Sequence, residues 1–180
     1  MSTLIKNVYL AGPDVFCADA VERFAALEAA CSALGLRGIR PSDGGCGAAG
    51  ADAGRAAADR IYRANVELIR HCDALLANLV PFRNLIEPDS GTVFELGVAV
   101  ALGKTVAGVL ADPGEAYETR VARHLGLRRD AAGRAWDQND GHLIEEFGQP
   151  LNLMLARSTP VFATAELALQ HLAVRLDVAR

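Results

Sequence analysis

No block of like charges interrupts this 180-residue chain, whose formal charge is -4. Coating DNA or RNA needs clustered Lys and Arg, so no nucleic-acid partner is expected. No apolar run is long enough to span a bilayer. The longest nearly uncharged stretch, Ser90 to Gly103, is short and broken by glycine, so no membrane partner is expected either. The opening MSTLIKNVYLAGPDVF lacks a long apolar core and carries polar residues inside its short apolar run. An export signal is therefore not expected, and a reducing, cytoplasmic location follows. Cys17, Cys31, Cys46 and Cys72, like His71, His124, His142 and His171, show no paired metal-ligand spacing. No metal is expected, and the thiols read as free, small core residues. Phosphate loops are missing too. Gly103-Lys104-Thr105 imitates the end of a Walker loop, but Val98 stands where that motif needs glycine, and the triplet opens a strand rather than a helix. No Gly-x-Gly-x-x-Gly follows the first strand, so no dinucleotide cofactor is expected, and no Gly-x-Ser-x-Gly elbow is present.

What is present is 51% hydrophobic sequence, read as one domain over residues 1–180. Leu4 to Leu10 reads as a buried strand that Ala11-Gly12-Pro13-Asp14 breaks. Ala18 to Leu34 reads as a helix with Val21, Phe24, Leu27, Cys31 and Leu34 on its apolar stripe. A short strand over Leu36 to Arg40 precedes the small-residue segment Pro41 to Gly54, expected to be a mobile loop. Ala56 to His71 is expected to be helical. Asp73 to Val80 is a continuous apolar strand of the kind buried on both faces. The irregular Pro81 to Gly91 precedes a helix from Thr92 to about Leu102 and a strand from Lys104 to Leu110. Beyond it, Asp112 to Asn139 reads as a helix over Tyr117 to Leu125 and then loop. Gly148 to Ala156 reads as a short helix, Pro160 to Phe162 as a final strand, and Thr164 to Val178 as a closing helix. Such alternation predicts an α/β fold, an open parallel sheet of about five strands with helices on both faces. Ligands in such sheets sit beyond the carboxyl ends of the strands. Those ends carry Ala11 to Phe16, Pro81 to Gly91 and the loop after Leu110.

Within Ser90 to Gly103 one residue is charged, Glu95. Thr92-x-x-Glu95 fits a capping box, and it equally fits an ionised nucleophile favoured by the positive end of a helix dipole. Asp89, six residues earlier, reads either as a turn or N-cap residue or as the second carboxylate of glycosidic chemistry. Asn65 is a polar residue on an apolar stripe, which either ties down a loop or faces a ligand. Tyr9 ends the first strand as a core ring or as a phenol reaching the same cleft.

The segments Val8-Tyr9-Leu10-Ala11-Gly12-Pro13, Cys72 to Leu79 running into Pro81-Phe82-Arg83, Asp89-Ser90-Gly91-Thr92-Val93-Phe94-Glu95-Leu96-Gly97, Asp140-Gly141 and Asn152-Leu153-Met154 resemble, in order, the nucleoside 2-deoxyribosyltransferases. The resemblance covers most of the chain up to Leu155. It implies a flavodoxin-like, Rossmann-like sheet and a cofactor-free, retaining exchange of nucleobases on 2-deoxyribose. Its partners would be deoxyribonucleosides and free nucleobases. Carried onto these positions, it implies Glu95 as nucleophile, Asp89 as the carboxylate beside it and Tyr9 as the phenol orienting Glu95. It also places Gly12, Phe16, Phe82 and Gly91 around the substrate. Asn152 and Met154 would be lent by a neighbouring subunit of a homo-oligomer. Several branches carry aspartate where this chain has Asn65, and an amide supplies no titratable proton. Within the same superfamily, a deoxynucleoside or deoxynucleotide N-glycosidase with water as acceptor is the alternative.

Overall fold

The computed structural model describes residues 5–41 and 51–178, of which 51–53 are described by backbone alone. Most of the expected loop Pro41 to Gly54, with Cys46, lies outside the described residues. Helix α2 already runs from Ala51 to His71, so the helix begins earlier than its glycine content led one to expect.

Strands β1 (Lys6–Ala11), β2 (Leu36–Ile39), β3 (Ala74–Asn78), β4 (Thr105–Val109) and β7 (Val161–Phe162) form a parallel sheet in the order β2-β1-β3-β4-β7. This is the flavodoxin-like order, with its topological switch point between β1 and β3. Successive strand residues point to opposite faces, and both faces are apolar. Tyr9, Ala11, Leu75, Ala77 and Val106 pack with Ile69 and Cys72 at α2 and with Leu96 and Ala99 of α3 (Ser90–Ala101). On the other face, Val8, Leu10, Leu76 and Ala107 meet Phe24 and Cys31 of α1 (Ala20–Ala33). Ala168, Leu169 and Leu172 of α6 (Ala165–Arg175) complete that layer. Each fully buried Val, Leu or Ile among these contributes roughly 1.5–3 kcal/mol. Burial pushes the Cys31 and Cys72 thiols up to about 11, the nearby Glu28 and Asp73 carboxylates adding to this. Both are free thiols, as expected.

Val21, expected on the stripe of α1, is exposed. The first turn of α1 lies at the carboxyl edge of the sheet, past the residues it would pack against. After α4 (Tyr117–Leu125) comes an antiparallel pair, β5 (Leu127–Arg129) and β6 (Ala135–Asp137), where loop was expected. Val121, Ala135 and Ile144 form a small separate core with Ile86 and Tyr117. Ile86 belongs to the segment between β3 and α3. There the Tyr117 hydroxyl donates to Glu87 Oε1 at 2.6 Å, and buried Arg120 donates to the Ile86 carbonyl at 3.5 Å and the Pro150 carbonyl at 3.0 Å. Unit α4–β6 thus braces the loop that leads to α3. Among the described residues, no helix is long and apolar enough to cross a membrane, and no group of three His, Cys, Asp or Glu is placed to hold a metal ion.

Candidate active site

At the carboxyl end of β1, Tyr9 is fully buried, and its hydroxyl donates to Glu95 Oε1 at 2.7 Å. Strand β1 places the ring on the α2/α3 face, and α3 presents the carboxylate opposite it. Desolvation raises the Glu95 pKa to about 6; the Tyr9 hydrogen bond opposes this, and the Asp89 charge adds to the rise. The Tyr9 phenol is itself pushed well above its ordinary value, chiefly by burial and then by the Glu95 charge. It is therefore a permanent donor over any working pH.

Helix α3 begins at Ser90 with Asp89 as its N-cap, not with Thr92. Asp89 Oδ2 accepts from the Thr92 amide at 2.8 Å and the Thr92 hydroxyl at 3.0 Å. The capping-box reading of Thr92 and Glu95 is thereby overturned: Thr92 is buried within the first turn, and Glu95 bonds Tyr9 rather than an orphan amide. Glu95 also lies beyond the first turn, where the dipole has largely faded. The dipole acts on Asp89, and the phenol acts on Glu95.

These groups open into a cavity of about 350 Å³ lined by Gly12, Val15, Phe16, Pro41, Ile61, Asn65, Asp89, Gly91, Thr92 and Glu95. Its mouth carries an aromatic stack. Phe16, 61% exposed, stacks on Phe82 with ring centroids 5.7 Å apart and planes 18° from parallel. The Arg83 guanidinium lies 5.0 Å from the Phe16 centroid and 4.7 Å from that of Phe82. Arg83 takes a left-handed backbone, φ 60°, uncommon away from glycine. Asn84 closes the turn behind it, its side-chain oxygen accepting from the Ile86 and Glu87 amides.

A family model for nucleoside 2-deoxyribosyltransferase matches residues 8–154. The chain belongs to the nucleoside 2-deoxyribosyltransferase family. The 2-desoxiribosyltransferase from Leishmania mexicana is 34% identical, with a TM-score of 0.71, over 94% of this chain and 97% of that one. Uncharacterized protein C191.05c of Schizosaccharomyces pombe is 36% identical over 131 residues, 73% of this chain. The match spans about 60% of the length of that curated relative. A conserved protein from Enterococcus faecalis V583, 20% identical with a TM-score of 0.55 over 95% of this chain and 99% of that one, shares the fold.

Among the residues singled out in this transferase-family sequence, Glu95, Asp89, Gly12, Phe16, Asn65 and Gly91 meet at one cavity. Tyr9 lies beneath it and Phe82 stands behind Phe16. Asn152 and Met154 do not line it. They begin α5 (Leu153–Ser158), where Asn152 Nδ2 donates to Glu145 Oε1 at 2.8 Å and Asn152 Oδ1 accepts from the Met154 amide at 3.0 Å. Met154 is 72% exposed. Arg83 at the mouth, and Val15, Pro41, Ile61 and Thr92 in the lining, are contributors that sequence reasoning did not single out as site residues. Gly12 is needed for close approach, since a Cβ there would stand 2.7 Å from Asp14 Oδ2 and 2.9 Å from Asn78 Cβ.

Proposed function

We propose that this chain transfers a 2-deoxyribosyl group between nucleobases by double displacement through a covalent Glu95 ester. The observation carrying this reading is a half-buried carboxylate, held at 2.7 Å by a permanently protonated phenol, inside a cavity that Asp89 also lines. With a pKa of about 6, Glu95 is mostly ionised at neutral pH, as a nucleophile must be.

In the first step a Glu95 carboxylate oxygen bonds to C1′ as the C1′–N bond breaks. The bonding pair leaves on the base nitrogen, which takes up a proton, and positive charge builds on C1′ and the ring oxygen. A 2-deoxy sugar lacks the electron-withdrawing 2′-hydroxyl, so this charge develops more readily. An incoming base then attacks C1′, loses its proton, and returns Glu95 to the carboxylate. Two inversions leave the configuration retained. The Asn65 amide cannot release a titratable proton, so Asp89 or water serves the leaving base. Deoxyinosine incubated with and without adenine tests the reaction. Formation of deoxyadenosine that depends on adenine is the expected result. Release of free deoxyribose at the same rate in both incubations would instead assign an N-glycosidase.

Transfer outruns hydrolysis when the ester is shielded from water. We assign that shielding to a second copy of the chain, which brings Asn152 and Met154 of its exposed α5 start over this cavity. Glu95→Gln chains reassociated with Asn152→Ala chains are expected to regain exchange that neither population has alone. Absence of rescue in a mixed oligomer would place Asn152 outside the neighbouring site.

A further inference from the structure

The turn Pro13–Phe16 has two sides. Val15 and Phe16 face the catalytic cavity, whereas Asp14 lines a second cavity of about 270 Å³ on the opposite face of the sheet. Leu10 and Leu76 form the floor of this second space. Ala26 and Leu27 of α1 and Ala165 of α6 form its sides, and Asp14, Asn78 and Arg23 its polar head. The fold accounts for the opening. Helix α1 follows β1 on one face and α3 follows β3 on the other, so the chain parts at this switch point, and one cavity lies beside it on each face. The reaction proposed above uses one of them.

The polar head of the second crevice is incompletely matched. Asp14 is 8% exposed, and a carboxylate taken that far from water needs strong partners. It accepts one good hydrogen bond, from Asn78 Nδ2 to Oδ2 at 2.9 Å. Its ion pair is long, Arg23 Nη1 to Oδ1 at 3.4 Å, while the same guanidinium holds the exposed Asp19 at 2.8 Å. Asn78 spends its carbonyl oxygen on the Val80 amide at 3.2 Å and retains a second N–H. Arg23 Nη1 still faces Asp14 Oδ1, so the head is an ion pair rather than a bare carboxylate and calls for hydrogen-bonding groups more than for a full positive charge. The wall presents an acceptor, Asp14 Oδ1, next to a donor, the Asn78 amide. An amino group beside a ring nitrogen answers both, the edge by which carboxamides read adenine, and an aromatic body suits the apolar sides.

We propose that this cavity is a second small-molecule site, which takes a neutral, amino-substituted heteroaromatic ring against Asp14 and Asn78. Because Asp14 and Phe16 share one short turn, occupancy is felt at the mouth of the catalytic cavity. The site stands whether or not Glu95 acts as a nucleophile.

Amide NMR shifts during titration of the intact protein with 2-aminopyrimidine, which is uncharged near neutral pH, test it. Saturable shifts at Ala26, Leu27, Ala165, Gly12 and Asp14 to Cys17 are expected. Ala26 is exposed at the rim, so Ala26→Phe fills the space without disturbing the core and should abolish them. Asp14→Asn should weaken binding at least tenfold. No saturable shift at Ala26, Leu27 and Ala165, shifts confined to Asn65, Gly91 and Glu95, or undiminished binding in Ala26→Phe would each overturn the proposal.

Discussion

Replacing Glu95 with Gln is expected to cut base exchange by about 10³-fold or more, since the reaction would lose its nucleophile while keeping its pocket. The shape is nearly unchanged, and the Gln carbonyl still accepts from Tyr9. Stability should move the other way. The folded pKa of about 6 lies above the ordinary 4.5, so the folded state binds the Glu95 proton more tightly than the unfolded chain does. That preference stabilises the fold below about pH 4.5 and is lost as pH rises through 6. At pH 8 the carboxylate is therefore a burden on the fold, on the order of 2 kcal/mol, which the amide relieves. Glu95→Gln should then melt at the parent's temperature or higher. A purely structural Glu95 predicts the reverse, a less stable protein with unchanged exchange. Mass spectrometry adds a direct reading. Parent protein incubated with deoxyinosine alone should carry a deoxyribosyl adduct on the peptide containing Glu95. An adduct on another residue during active exchange would remove the mechanism.

The sheet was legible wherever the chain leaves strands no other reading. Asp73 to Val80 and Lys104 to Leu110 are predominantly apolar runs, and β3 and β4 lie inside them. Glu95 stood out because it is the one charge between Ser90 and Gly103, and a lone charge in an apolar helix needs a partner that only the fold supplies. The partner, Tyr9, was foreseen through the family resemblance rather than through spacing, since 86 residues separate the two. Local chemistry misled at the start of α3. Asp89 and Thr92 are both good caps, and the choice between them depends on where the preceding loop lets the helix begin. The pair β5–β6 was hidden because strands of three residues show no period. Its stability comes from contacts distant in sequence, Ala135 against Val121 and Ile144. The aromatic stack was equally invisible, because Phe16 and Phe82 meet only when β1 and β3 lie side by side.

Tyr9→Phe is expected to displace the acid limb of the exchange reaction rather than abolish the chemistry. In the parent, kcat/KM should fall as pH drops below about 6, where Glu95 takes up its proton. The Tyr9 hydroxyl holds this pKa down, acting against burial, which drives it up. Removing the hydroxyl leaves burial and the Asp89 charge unopposed, so the Glu95 pKa must rise. A hydrogen bond to a charged group is worth roughly 1.5–3 kcal/mol, or about 1–2 pH units. The limb should therefore move to between about pH 7 and 8. At pH 7 exchange should drop by about tenfold or more, since fewer carboxylates are ionised and those that are have lost their orienting donor. Raising the pH should recover the ionisation part and leave the orientation part, so the variant approaches the parent at pH 9 without reaching it. A loss caused by damaged packing would be the same at every pH. An unshifted limb in Tyr9→Phe would mean that the phenol does not govern the charge on Glu95, and the roles assigned to both residues would fall together.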